Sequence, residues 1–176
     1  MKRLPRLTLS DRLKACYDQW IETRGQSSET WMAILDDRIE FRSIAMGDPH
    51  GAAFTGPRSE RSEIKSYFDG LLAEWEMVDF RIDHYIEDGD MVAAVGWNAW
   101  RNKATGKLFE SPKVDIWRFE GDKVVAFSEF YDTAKIFAHE TAQRRALLRN
   151  RHPSTMGFVK IEEPASDPAI GKRFLR

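Results

Sequence analysis

"VDFRIDHYIEDGDMVAAVGWNAW", residues 78–100, decides the fold. Two runs rich in β-branched and aromatic residues, "VDFRIDHYI" and "MVAAVGWNAW", flank "EDGD", where Asp88 and Gly89 supply a hairpin turn. Period-two alternation places Phe80, Ile82, His84 and Ile86 on one face of the first run. The pattern continues beyond it. A loop with Gly106 leads to "LFESPKVDIWRFE", and "EGDK" then turns the chain into "VVAFSEFY". Pro112 marks an edge or a bulge, since proline cannot donate to a ladder. In "VDIWRF", residues 114–119, Asp115, Trp117 and Phe119 share a face opposite Val114, Ile116 and Arg118. A carboxylate thus stands beside two large rings, where desolvation favours its neutral form. The bland alternative pairs Asp115 with a cross-strand cation such as Arg101.

Before these strands the period is helical. After Ser10, a suitable N-cap, Leu13, Cys16, Tyr17, Trp20 and Ile21 recur at helical spacing, and Gly25 supplies the stop. Ser28 opens a shorter helix through Trp31, Met32, Ile34 and Leu35, followed by a strand, "RIEFRSIA", at 38–45. The Gly- and Pro-containing "MGDPHGAAFTGP" reads as a loop. From about Ser59, the residues Ile64, Tyr67, Phe68, Leu71, Leu72 and Trp75 make an amphipathic stripe. Asp132 is placed to cap a last helix through Ile136, Phe137 and Leu147. Helices first and antiparallel strands later indicate an α+β domain, with the helices on one face of the sheet.

With 176 residues the chain has room for one core and an appendage: a domain over 8–140 and a C-terminal extension over 141–176. Lys+Arg 27 against Asp+Glu 28 removes the electrostatic case for nucleic acid. The single cysteine, Cys16, excludes an intramolecular disulfide and a Cys-based zinc site. No apolar run approaches a membrane span and "MKRLPRLTLSDRLK" lacks a signal-peptide core, so a cytoplasmic protein without a membrane partner is expected. The chain shows no phosphate loop, dinucleotide fingerprint or Ser-His-Asp cluster. His139 and His152 have no metal-ligating spacing, and His50 lies on the Gly-rich loop, where solvent exposure is the default; neither a metal nor a cofactor is expected. The pair Asp36 and Asp37 is read as the junction of a helix and a strand. Trp 6, Phe 11 and Tyr 4 suit a packed core and equally a pocket for a flat apolar ligand.

"ILDDRIEF", "IEDGDMVAAV", "WRFEGDKV" and "EFYDTA" together resemble the SnoaL-like and ketosteroid-isomerase-like members of the NTF2-like superfamily. That resemblance implies a cystatin-like cone: a strongly curved antiparallel sheet closing over about three N-terminal helices around an apolar pocket, commonly in a homodimer. It also implies sites. Asp115 matches the pocket aspartate of ketosteroid isomerases, and Tyr17 lies close to the tyrosine of their first helix. Arg42 and Ser43 stand where those enzymes carry a base. Gly96, Asn98 and Glu129 fall where terpene epoxide hydrolases have an Arg, Asp and Asp relay, and only Glu129 keeps an acid. "IDHYI" with His84 and "CYD" with Tyr17 and Asp18 resemble segments of scytalone dehydratase.

These readings give one lead expectation. His84 acts as base while Asp115 and Tyr17 donate hydrogen bonds to a developing enolate oxygen. Trp20, Phe41, Tyr67, Asn98, Trp117 and Glu129 bind a small apolar molecule. The chemistry would be that of a cofactor-independent isomerase, cyclase or dehydratase. A dimeric protein that only binds, or an interaction module whose pocket is filled, remain the alternatives.

Overall fold

In the computed structural model, which describes residues 7–44 and 56–135, the chain opens with helix α1 (Leu9–Glu22). Thr8, not Ser10, caps it: its hydroxyl accepts from the Asp11 N–H while the Asp11 carboxylate accepts from the Thr8 N–H, a capping box. Ser10 instead donates to Glu87, tying α1 to the sheet. Leu13, Cys16, Tyr17 and Trp20 form its buried stripe, and Lys14 pairs with Asp18 on the wet side. Gly25, at φ +81, ends the turn by donating its N–H to the Trp20 carbonyl.

Helix α2 (Glu29–Ile34) runs directly into β1 (Leu35–Ser43), so Leu35 begins the strand rather than ending the helix. The short β2 (Arg58–Glu60) precedes α3 (Arg61–Glu74), where Ile64 and Tyr67 are buried and Phe68, Leu71 and Leu72 pack against them. Glu63 secures its start by accepting from the Ser59 and Glu60 N–H groups. Four long strands follow: β3 (Trp75–Asp88), β4 (Met91–Asn102), β5 (Leu108–Glu120) and β6 (Lys123–Tyr131).

All six strands form one sheet in the order β2-β1-β6-β5-β4-β3, antiparallel except where β1 runs parallel to β6. The β3–β4 turn is the two residues Gly89 and Asp90, one position later than the sequence suggests, and pairs Asp88 with Met91. Gly121 and Asp122 repeat it between β5 and β6, each glycine taking a positive φ of about 60°. Pro112 lies within the sheet, opposite Trp97, but pairing with β6 starts only at Lys113, so it sits at a local edge.

Two bulges on β3 set which side chains face inward. Val78 and Asp83 are extra residues against β4, since Met77 and Asp79 oppose Trp100 and Ala99, and Ile82 and His84 oppose Gly96 and Val95. Each bulge inverts the alternation. The inward face therefore reads Trp75, Met77, then Phe80, Ile82, then Tyr85. Helices α1 and α3 cover this face, and no helix among the described residues packs on the other side of the sheet. Residues 133–135 are helical and Asp132 Oδ1 accepts from the Lys135 N–H at 3.3 Å, as the expected cap requires, while the rest of that helix, the 141–176 extension, His50, His139 and His152 lie outside the described residues.

Candidate active site

Strand β5 supplies the centre. Its alternation is unbroken from Phe109 to Phe119, so Ser111, Lys113, Asp115 and Trp117 all point under the helices. Asp115, 1% exposed, is flanked in its cross-strand row by Ala94 and Glu129, and Glu129 by Ser43. The Lys113 ammonium lies 3.0 Å from Asp115 Oδ2 and 4.0 Å from Glu129 Oε2, over the Phe80 ring at 4.7 Å from its centroid. Lysine and glutamate are each 7% exposed. Three ionisable groups thus meet inside the core.

Around them the partners are hydroxyls and rings. Tyr17 donates to Asp115 Oδ2 at 2.5 Å and accepts from the Trp117 indole N–H at 2.9 Å. Tyr67 donates to Glu129 Oε1 at 3.0 Å. Burial, and then the charge of Asp115, push the Tyr17 hydroxyl well above the usual tyrosine range, so it stays a neutral donor. Burial also raises the Glu129 carboxyl; Lys113 pulls against it, Asp115 adds to it, and the Ser43 and Tyr67 hydroxyls lower it. Asp115 Oδ1, Asn98 Oδ1 and Trp31 Nε1 are buried with no partner among the described residues.

The cluster borders a cavity of about 100 Å³. Rings make most of its wall, from Trp20 and Trp31 on the helices to Trp100 and Phe127 on the strands. Stacking fixes them: Trp31 lies 4.9 Å from Trp117 at 10°, and Phe41 lies 4.5 Å from Phe127 at 27°. A cavity of this size is somewhat below the ~150 Å³ that holds benzene in an apolar protein interior.

A profile of the SnoaL-like domain family matches residues 15–127. The chain belongs to that family. Its solved relatives carry the NTF2-like fold. An NTF2-like protein from Burkholderia thailandensis is 27% identical over 74% of this chain and 95% of its own, with TM-score 0.62. A SnoaL-like polyketide cyclase, so described provisionally, from Mesorhizobium loti is 15% identical, covers 71% of this chain and 100% of its own, and gives TM-score 0.58. A protein with a ketosteroid isomerase-like fold from Catenulispora acidiphila, solved with trimethylamine, is 14% identical over 76% and 95%, also at TM-score 0.58. No curated protein matches the chain in sequence.

In this SnoaL-like domain Tyr17, Trp20, Phe41, Tyr67, Asn98, Asp115, Trp117 and Glu129 all border the cavity. His84 does not. The Asp83 bulge turns it outward into the row of Val95 and Val114, where it is exposed, while Asp115 is buried on the opposite face. Arg101 is not the partner of Asp115 either: it pairs with Glu76. Lys113 was missed by sequence reasoning. It stands two residues before Asp115 and shares its face by the same alternation, but a lysine beside Pro112, a ladder break, suggests an exposed edge.

Proposed function

We propose that this SnoaL-like domain binds a small apolar carbonyl compound in its ring-lined cavity and moves a proton on it without a cofactor. One observation carries this: Lys113, Asp115 and Glu129 come together, none more than 7% exposed, in a wall otherwise made of rings. Taking such groups out of water costs several kcal/mol per ion by general estimate, and apolar replacements of similar volume are often as stable or more so. A catalytic role accounts for keeping them.

The roles follow from the partners. Glu129, whose neutral form burial favours, donates to the substrate carbonyl oxygen. Asp115 meets Lys113 and Tyr17 through Oδ2, which leaves Oδ1, buried without a partner among the described residues, to accept the α-proton, where the sequence reading expects a donor. Tyr17 is a positioning residue, since its hydroxyl is engaged with Asp115 and Trp117. His84 has no part in this scheme. Trp20, Phe41, Tyr67, Asn98 and Trp117 shape and hold the ligand. The trimethylamine held by the relative from Catenulispora acidiphila supports a small ligand as such.

The reading includes a homodimer and a cytoplasmic setting. For the first the support is the apolar outer face of the sheet; for the second it is a lone thiol, Cys16, which burial pushes up to about 11 and keeps inert. Among the described residues no helix is long and apolar enough to cross a membrane. Neutralisation of Asp115 by Lys113 favours the second reading, a protein that binds without chemistry.

The test needs no knowledge of the natural substrate. Cyclohexanone in D2O is followed by proton NMR with wild type and Glu129→Gln, alongside tryptophan fluorescence to report binding. Wild type should accelerate α-proton exchange, and the variant should lose most of that acceleration, by a factor of about 10²–10⁴ for one acid–base group. Binding of cyclohexanone with no exchange above the buffer rate would leave only the binding protein.

A further inference from the structure

Lys113 has a position that exceeds the needs of a counter-ion. Its amine borders the cavity, rests over Phe80, and has Asp115 Oδ2 at 3.0 Å with Glu129 Oε2 at 4.0 Å. Arginine would hold a carboxylate more firmly and in two places at once. What lysine offers instead is a compact amine able to form a covalent bond.

We infer that Lys113 is a nucleophile that captures an aldehyde or ketone in the cavity as an imine. The inference rests on the cavity being the ligand site proposed above. The ammonium first passes one proton to the Asp115 carboxylate. The freed amine attacks the carbonyl carbon, and the C–N bond forms as the carbonyl π-pair moves to oxygen. That oxygen takes a proton from Glu129. The nitrogen of the resulting carbinolamine carries two hydrogens and a positive charge; it returns one proton to Glu129 and so regains its lone pair. The hydroxyl then accepts the proton held by Asp115 and leaves as water as that lone pair closes the C=N bond, and nitrogen keeps one hydrogen as iminium.

The balance is ammonium plus carbonyl giving iminium plus water, with no oxidant or reductant. Its charge is conserved. The iminium simply replaces the ammonium opposite Asp115, so the core gains no net charge when the ligand bonds. Only neutral molecules enter and leave, as a ring-lined chamber requires. An iminium also draws electrons from the adjacent carbon, which strengthens the case for Asp115 as the group that removes an α-proton.

Benzaldehyde with borane–pyridine, a neutral reductant of iminium ions, tests this on the full chain, with adducts located by peptide mass spectrometry. Reduction should fix one benzyl group per chain on Lys113, at a rate that saturates with benzaldehyde. Toluene, which has the ring and no carbonyl, should slow it. Exposed Lys14 and Lys65 serve as references for unassisted reaction. Labelling of Lys113 at least tenfold faster than either supports the inference, and labelling no faster overturns it. Lys113→Arg, which keeps the charge, should abolish the fast adduct; a fast adduct persisting there on another lysine also overturns it. If Lys113 is not labelled while cyclohexanone still exchanges its α-protons, the imine is excluded and the proton-transfer reading stands. Loss of exchange with labelling intact would do the reverse.

Discussion

Glu129 carries the clearest consequence at the scale of one residue. Its carboxyl is buried and its pKa is raised, chiefly by desolvation. A group whose folded value lies above its unfolded value stabilises the protein fully below the unfolded value, near 4.3 for a free glutamate, and that contribution is lost as pH climbs through the folded one. Glu129→Gln keeps the shape of the neutral acid and has no proton to lose, so its melting temperature should gain on wild type as pH rises from 4 through neutrality; parallel melting curves across that range would show that the carboxyl is not held back. The sequence showed part of this chemistry. Asp115 was legible because an acid between Val114 and Ile116 falls on the face of Trp117. Lys113 obeys the same rule and went unread, since a lysine near a proline suggests an exposed edge. The pairing of Glu129 with Asp115 depends on β6 register, which no local pattern sets.

Strand β3 shows why elements are harder to read than residues. Its alternation looks clean from Phe80 to Ile86, and a strand without a bulge would bring His84 under the helices. The Asp83 bulge prevents that, and Gly96 is the reason the bulge is tolerated. A Cβ on Gly96 would lie 2.0 Å from the Arg81 carbonyl oxygen and 2.9 Å from Ile82 Cα, both backbone atoms that cannot swing aside. Gly96→Ala should therefore destabilise the domain by about 1–3 kcal/mol, the usual cost of overpacking, as read from urea unfolding. Deleting Asp83 in that variant removes the extra residue while leaving Ile82 opposite Gly96, and should recover part of the loss. An alanine variant as stable as wild type would mean the strands do not approach this closely. A bulge spans two strands, so its signal is split between Asp83 and a glycine thirteen positions later. Neither is decisive alone.

At the scale of the molecule the order of elements was the legible part: helices, then a meander of hairpins whose turns announce themselves in "EDGD" and "EGDK". Closure of the sheet through the parallel pairing of β1 with β6 was not, because it pairs residues as far apart in sequence as Leu35 and Val124. That closure leaves an outer face whose neighbours are set by register. Ala93 and Ile116 continue the row of Ile86, and Val95 and Val114 the row of Phe130. Ile86 is 60% and Phe130 41% exposed, and these two side chains are the apolar contact points that this face offers. The proposed homodimer would use this face and leave the cavity, on the other side of the sheet, untouched. Sedimentation of wild type should show a dimer at micromolar concentration, and Phe130→Asp, placing a charge within the apolar patch, should shift it to monomer. Cyclohexanone exchange per chain should survive in that monomer, because no cavity residue belongs to the outer face. A wild type that sediments as monomer would remove the dimer from the proposal without touching the chemistry; exchange lost together with the dimer would place the partner copy in the site itself.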